Sequence, residues 1–233
     1  MIIILVIILF CSSDNLIIQN ENANYAGIVL CFDDYHPETW ERHFNLFDMY
    51  NARVTFFVDE RSGDIINFCQ IAQDRGHEIG YHTINHPYLT LLSREQFNIE
   101  TISRINIFRN AGIELTSFAY PFGAYQTWMH NELLKYYKIV RGFGGLIQYS
   151  KEEIKNGFIE SFSIDNVNHR SENNFQNRIN NILISAKNNG KIIVLTTHSI
   201  SNDPWGITTE RLEYLLRKVK ENELIFYRFK DLQ

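Results

Sequence analysis

Short runs of mostly apolar residues recur along this chain and read as strands buried on both faces. They cover Gly27–Phe32, Val54–Val58, Glu78–Tyr81, Leu115–Tyr120, Lys138–Arg141, Lys191–Thr196 and Leu224–Phe229. Helical periods lie between them. Pro37–Tyr50 places Trp40, Phe44 and Phe47 on one face. Asp64–Arg75 stops at Gly76. Ser93–Asn110 opens with the capping-box pair Ser93 and Gln96 and carries the stripe Phe97, Ile102, Ile105 and Phe108. Thr127–Tyr137 follows, then Asn174–Asn188 through Phe175, Ile179, Ile182 and Ala186, then Thr209–Glu221 through Leu212, Leu215, Leu216 and Val219. Residues 142–170 show no clean period, and one strand is expected there, near Phe158–Ile164.

Strand and helix alternating in this way predict a parallel sheet covered by helices. With seven to eight strands and no Gly-rich phosphate loop, an α/β barrel is favoured over a doubly wound sheet. Composition adds little: 233 residues, 45% hydrophobic and 21% charged, suit one domain with a full core. Net charge is −5 with no basic cluster, which argues against nucleic acid as a partner.

The N-terminus departs from this pattern. Met1–Phe10 is continuously apolar, too short to span a bilayer but suited to a signal-peptide core. Cys11 and small polar residues follow, as in a bacterial lipoprotein leader, although no Lys or Arg precedes Arg42 and Phe10 stands where a small residue is usual. The expected organisation is a leader at 1–11, a polar tether at 12–25 and one catalytic domain at 26–233. The protein would be exported and lipid-anchored at the cell envelope, touching the membrane through that anchor alone, and monomeric. Cys31, in a strand, and Cys69, on a helix, read most simply as small buried hydrophobes, with a disulfide open as an alternative.

Chemistry-bearing residues follow the strands. Asp33-Asp34 ends the first, and in extended backbone their side chains point to opposite faces. His82 and His86 lie four apart, so one helical turn or tight loop brings both imidazoles to one side. Phe118-Ala-Tyr-Pro-Phe-Gly123 ends another strand, and Leu195-Thr-Thr-His198 a fourth. Two His and one carboxylate make a three-ligand set with open positions, the arrangement of catalytic zinc. Either pair alone would serve equally as a helix cap or as loop histidines. His77, at a strand base, reads as structural.

In this order the motifs resemble the polysaccharide deacetylases, carbohydrate esterase family 4, from about Gly27 to the C-terminus. That resemblance implies a deformed (β/α)7-type barrel and a divalent metal, Zn²⁺ before Co²⁺ or Ni²⁺. It implies Asp34, His82 and His86 as ligands, Asp33 as general base and His198 as general acid. It also implies an oxyanion donor in the backbone N–H of Phe122, a substrate wall of Tyr120, Pro121 and Phe122, and Leu195 against the acetyl methyl. The FAYPFG form resembles a branch that includes poly-N-acetylglucosamine deacetylases. An acetylated glycan is therefore the expected substrate, with N-deacetylation favoured.

Two family features are missing. No Arg opens the 118–123 motif; Arg141 is the candidate replacement, with a solvent- or glycan-facing Arg the equal alternative. The acidic fourth motif is not recognisable, and Asp165 alone is placed to orient His198. Among the aromatics, Tyr125, Trp128 and Trp205 fall in strand-top loops, and Trp205 is the chosen sugar-stacking candidate. The rival readings are a glycan-binding lipoprotein with impaired catalysis, an O-acetyl xylan esterase, and an amide hydrolase acting on small cyclic ureides.

Overall fold

A computed structural model describes residues 25–61, 63 and 65–233. The expected leader, Cys11 and the tether up to residue 24 lie outside the described residues. Strands β1 (Gly27–Asp34), β2 (Thr55–Val58), β3 (Glu78–Tyr81), β4 (Ser117–Ala119), β5 (Ile139–Phe143), β7 (Phe158–Ser163) and β8 (Ile192–Thr197) pair in parallel in that order, and β8 returns to β1. The result is a closed seven-stranded barrel. Two short strands widen its base. β6 (Gln148–Tyr149) pairs antiparallel with the start of β8, and β11 (Ile225–Tyr227) pairs with Gly27–Val29 of β1, below the stretch that β2 occupies. β9 (Ser199–Ile200) and β10 (Gly206–Ile207) form a small ribbon beyond β8.

Period-2 alternation sorts each strand into two cores. Val29 and Cys31 of β1, Ile139 of β5 and Ile192 and Val194 of β8 fill the barrel. Leu30, Phe32, Val140, Ile193 and Leu195 face the helices instead. Cys31 belongs to the inner core and Cys69 to the outer, so no disulfide joins them. The outer shell comprises α1 (Pro37–Glu41), α2 (Phe44–Met49), α3 (Ile66–Asp74), α4 (Arg94–Thr101), α5 (Ile105–Asn110), α6 (Thr127–Leu133), α7 (Lys151–Lys155), α8 (Glu172–Asn189) and α9 (Thr209–Glu221). None of these is long and apolar enough to cross a membrane.

Two helices read as continuous are broken. At 37–50 the His43 ring takes the Thr39 carbonyl at 2.7 Å, and the His43 N–H turns to the Trp40 carbonyl instead. At 93–110 Ser103 back-bonds to the Ile99 carbonyl at 2.7 Å, a contact that bends helices. Helix α7 was not anticipated, although its Ser150/Glu153 capping box is visible in the sequence.

Gly80 lies two residues before His82, and a Cβ there would run into the Phe57 ring and come within 2.8 Å of Ser117 Oγ. Overpacking of this kind costs about 1–3 kcal/mol. Gly80→Ala is expected to lower the urea midpoint without changing the unfolding slope.

Candidate active site

The C-terminal ends of the barrel strands surround one cavity of ≈ 810 Å³. Asp33, Asp34, His82, His86, Tyr120, Phe122, Arg141, Asp165, His198 and Trp205 line it. Pro121 and Leu195 do not. Pro121 is buried behind its neighbours, and Leu195 points to the helix layer because it shares the outward parity of Ile193. The cavity instead gains His36, Arg61, Phe143 and Asp203, which sequence reading passed over. Phe143 ends β5 and the other three come from loops that follow different strands, and no spacing within the chain marks them. Tyr125 and Trp128 are turned elsewhere: Tyr125 donates to Glu160, and Trp128 packs on Phe97 and beneath Arg94.

The two adjacent aspartates have separate surroundings. Asp33 is buried and forms an ion pair with Arg141 through Oδ2. Arg141 is itself buried, donates to Ser161 Oγ at 3.0 Å, and lies over the Phe57 ring. Its entry from β5 has a simple cause. Arg141 is the register partner of Ala119, so the neighbouring strand delivers a guanidinium beside the motif that lacks one. Asp33 Oδ1 has no hydrogen-bond partner among the described residues and remains a bare acceptor.

Asp34 departs from the strand with φ 79°, and its Oδ1 lies 3.4 Å from His82 Nε2 and 3.1 Å from His86 Nε2. Burial by itself raises the Asp34 pKa, but the two imidazoles set against Oδ1 overturn this and hold the carboxyl well below the usual range. His82 Nδ1 donates to the Ala119 carbonyl at 2.8 Å, which fixes the ring and leaves Nε2 as the lone-pair nitrogen. The turn carrying His86 is closed by its own N–H to Thr83 Oγ1, and by Glu100, which accepts from the N–H groups of Ile84 and Asn85.

The donor atoms of Asp34, His82 and His86 all lie within 4.8 Å of one another. Bonds of about 2.0–2.1 Å place tetrahedral ligands about 3.4 Å apart, so the trio fits a divalent cation with little movement. Asp34 Oδ1, buried and with no hydrogen-bond partner among the described residues, is the acceptor such an ion would satisfy.

On the other side of the cavity, His198 Nδ1 donates to Asp165 Oδ1 at 3.1 Å. Asp165 is buried and also accepts from Thr197 and Ser163. Burial lowers the His198 pKa, but the hydrogen bond and charge of Asp165, helped by Asp33 and Asp34, outweigh it and raise the value to about 9. Two exposed aromatic surfaces flank the opening. Phe122 stacks on Tyr88 at 3.9 Å beside His86, and Trp205 stands 6.3 Å from His198. His77, by contrast, is buried among Phe44, Phe47 and Phe56 at the base of β3; burial lowers its pKa to about 3, and it accepts from the Val54 N–H.

A closed parallel barrel with paired carboxylates, two ligand-type histidines and an acid-type histidine at its mouth defines a hydrolase of the carbohydrate esterase type. The chain belongs to the polysaccharide deacetylase family, whose model matches residues 20–138. That stretch holds Asp33, Asp34, His82, His86 and the 118–123 motif. Solved structures share the fold. The catalytic domain of a peptidoglycan N-acetylglucosamine deacetylase from Eubacterium rectale is 17% identical, with TM-score 0.59 and coverage of 86% of this chain and 87% of that one. A peptidoglycan deacetylase from Bacillus subtilis is 18% identical, with TM-score 0.56 and coverage of 90% and 91%. A chitin deacetylase from the fungus Colletotrichum lindemuthianum is 14% identical, with TM-score 0.61 and coverage of 88% and 86%. No curated protein matches the sequence.

Two outcomes test this geometry. His82→Ala is expected to abolish Zn²⁺ binding in calorimetry while the circular dichroism spectrum stays native, since barrel-top residues carry function more than stability. The His198–Asp165 pair has a pH signature in the metal-free protein. A histidine whose pKa rises on folding from 6.5 to about 9 contributes stability that is complete below 6.5 and lost as pH rises through 9. The gap in unfolding free energy between wild type and Asp165→Asn should therefore be wide at about pH 6 and narrow at about pH 10.

Proposed function

We propose that this protein is a metal-dependent deacetylase that releases acetate from N-acetylated amino sugars of a glycan such as peptidoglycan, chitin or poly-N-acetylglucosamine. One observation carries the reading. Asp33, paired with Arg141, and His198, paired with Asp165, face one cavity that also holds the Asp34, His82 and His86 donor set. A base, an acid and a ligand trio are what amide hydrolysis at neutral pH requires.

When bound, a divalent cation, Zn²⁺ before Co²⁺ or Ni²⁺, supplies Lewis-acid polarisation of the acetyl carbonyl and a more acidic water. Asp33 takes the proton of the attacking water on Oδ1, the oxygen that Arg141 leaves bare. Arg141 fixes the carboxylate in that orientation. Charge developing on the carbonyl oxygen meets the backbone N–H of Phe122, as the family resemblance implies. Residue 122 holds φ 59°, a conformation costly for an aromatic residue and of the kind kept at functional sites. His198, protonated and held through Nδ1 by Asp165, gives the Nε2 proton to the departing amine.

The likeness to peptidoglycan and chitin deacetylases supports an amino-sugar substrate, and the FAYPFG form supports N- over O-deacetylation. The exposed rings of Phe122 and Trp205 suit sugar faces on either side of the reacting group. Export with a lipidated Cys11 belongs to the same proposal, because a tether lets an open barrel mouth reach an extended polymer. Mass spectrometry of the native protein would detect the acylated cysteine.

Acetate release from a panel of N- and O-acetylated glycans, with and without added Zn²⁺ or Co²⁺, tests the activity. Release from N-acetylglucosamine oligomers that depends on metal is expected. Release from acetylated xylan alone would make the protein an esterase, and glycan binding without release would make it a binding protein. Asp33→Asn should retain the metal and lose about 10²–10⁴-fold in turnover, the usual effect of removing a general base. Asp165→Asn should move the alkaline limb of kcat/KM to lower pH, because His198 then loses the partner that raises its pKa.

A further inference from the structure

The metal-ligand carboxylate has a second neighbour that no part of the proposed chemistry uses. Arg61 lies on the loop after β2, and its Nη2 is 3.4 Å from Asp34 Oδ2, the oxygen turned away from His82 and His86. A guanidinium there could close on Asp34 and take the carboxylate from a cation. It is held short of that by Asp59. Asp59 is completely buried, accepts the Arg61 backbone N–H on Oδ1 at 3.1 Å, and accepts Arg61 Nε at 2.8 Å and Nη2 at 2.6 Å on Oδ2. Its backbone N–H reaches the Asp34 carbonyl at 3.4 Å, so Asp59 and Asp34 are fixed to one another through adjacent strand ends.

We propose that Asp59 is a positioning residue that retains Arg61, so that Asp34 keeps Oδ1 for a divalent cation while its Oδ2 receives only a weak contact. This inference rests on the deacetylase reading insofar as it takes the Asp34, His82 and His86 trio to be the metal site. The argument is one of charge and reach. With Asp59 in place, Arg61 belongs to a two-point pair that carries no net charge beside the site. Without it, the anionic partner left to the guanidinium among the described residues is Asp34, and Arg61 becomes a positive charge facing a dication. Arg61 is itself partly exposed and lines the cavity, so it has room to swing.

The prediction has a sign that a purely structural role would not produce. Asp59→Asn keeps the shape of the side chain and removes its charge. It is expected to weaken Zn²⁺ binding by about 10–100-fold, the range typical of outer-shell changes. Removing Arg61 as well, in Asp59→Asn/Arg61→Gln, is expected to restore affinity, because the competitor is gone. Dissociation constants would be read on the metal-free full chain by competition with a chromophoric chelator, with thermal unfolding recorded for each variant. Unchanged affinity in Asp59→Asn would overturn the proposal. So would a double variant as weak as the single one, since the loss would then come from loop structure. If Asp59→Asn alone does not fold, the double variant still decides: wild-type affinity supports the proposal, and weak binding overturns it. A wild-type chain that binds no Zn²⁺ overturns the deacetylase reading itself, a result separate from any difference between variants.

Discussion

Pairing between β1 and β8 closes the barrel, and the site depends on that closure. β1 has two edges. β8 takes one from Gly27 to Phe32, and β2 and β11 divide the other. The register sets Phe32 against Thr197, so Asp33 and His198 follow at the tips of adjacent strands although 165 positions separate them. Trp40 strengthens the seam by donating its indole N–H to the His198 carbonyl at 2.8 Å. An open sheet would leave Asp33 and His198 on opposite edges.

Closure also determines the cost of the chemistry. Strand residues of inward parity point into a dry interior, where an isolated charge is expensive. The chargeable ones near the mouth are Asp33 and Arg141, with His82 just past β3, and each has a fixed partner. Breaking such a pair usually costs more than the pair ever contributed, because the remaining group stays buried and uncompensated. Backbone strain gathers in the same place. Of the six non-glycine residues with positive φ among the described residues, Asp34, Thr83, His86 and Phe122 belong to the mouth. The tight packing of the strands beneath holds them in these conformations, and the directions of the Asp34 and His86 side chains and of the Phe122 N–H follow from it.

Buried polar groups at the mouth form two nearly independent units. Arg141, Ser161 and Asp33 make one, and Ser163, Asp165, Thr197 and His198 the other. Asp33 and His198 are thus oriented by different strand pairs, β5 and β7 for the one and β7 and β8 for the other. The two hydrogen-bond networks share no member, yet the charge of Asp33 still acts on His198, so the units are coupled through charge rather than through hydrogen bonds.

The sequence alone determined the succession of strands and helices, the barrel class and the residues of the Asp34, His82 and His86 cluster. Buried parallel strands leave apolar runs, amphipathic helices leave a 3.6-residue period, and strand-end motifs such as Asp33-Asp34 and His82–His86 are local in the chain. Helix breaks at Arg42-His43 and near Ser103 escaped that reading, because one side-chain hydrogen bond decides each and no period records it. Arg141 and Asp165 were visible only as candidates. Whether Arg141 met Asp33 or solvent depended on the pairing of β4 with β5, a contact between strands from different parts of the chain. Leu195 turned outward, and His36 and Arg61 turned into the cavity, for reasons of strand parity and loop direction that become definite only once the barrel closes.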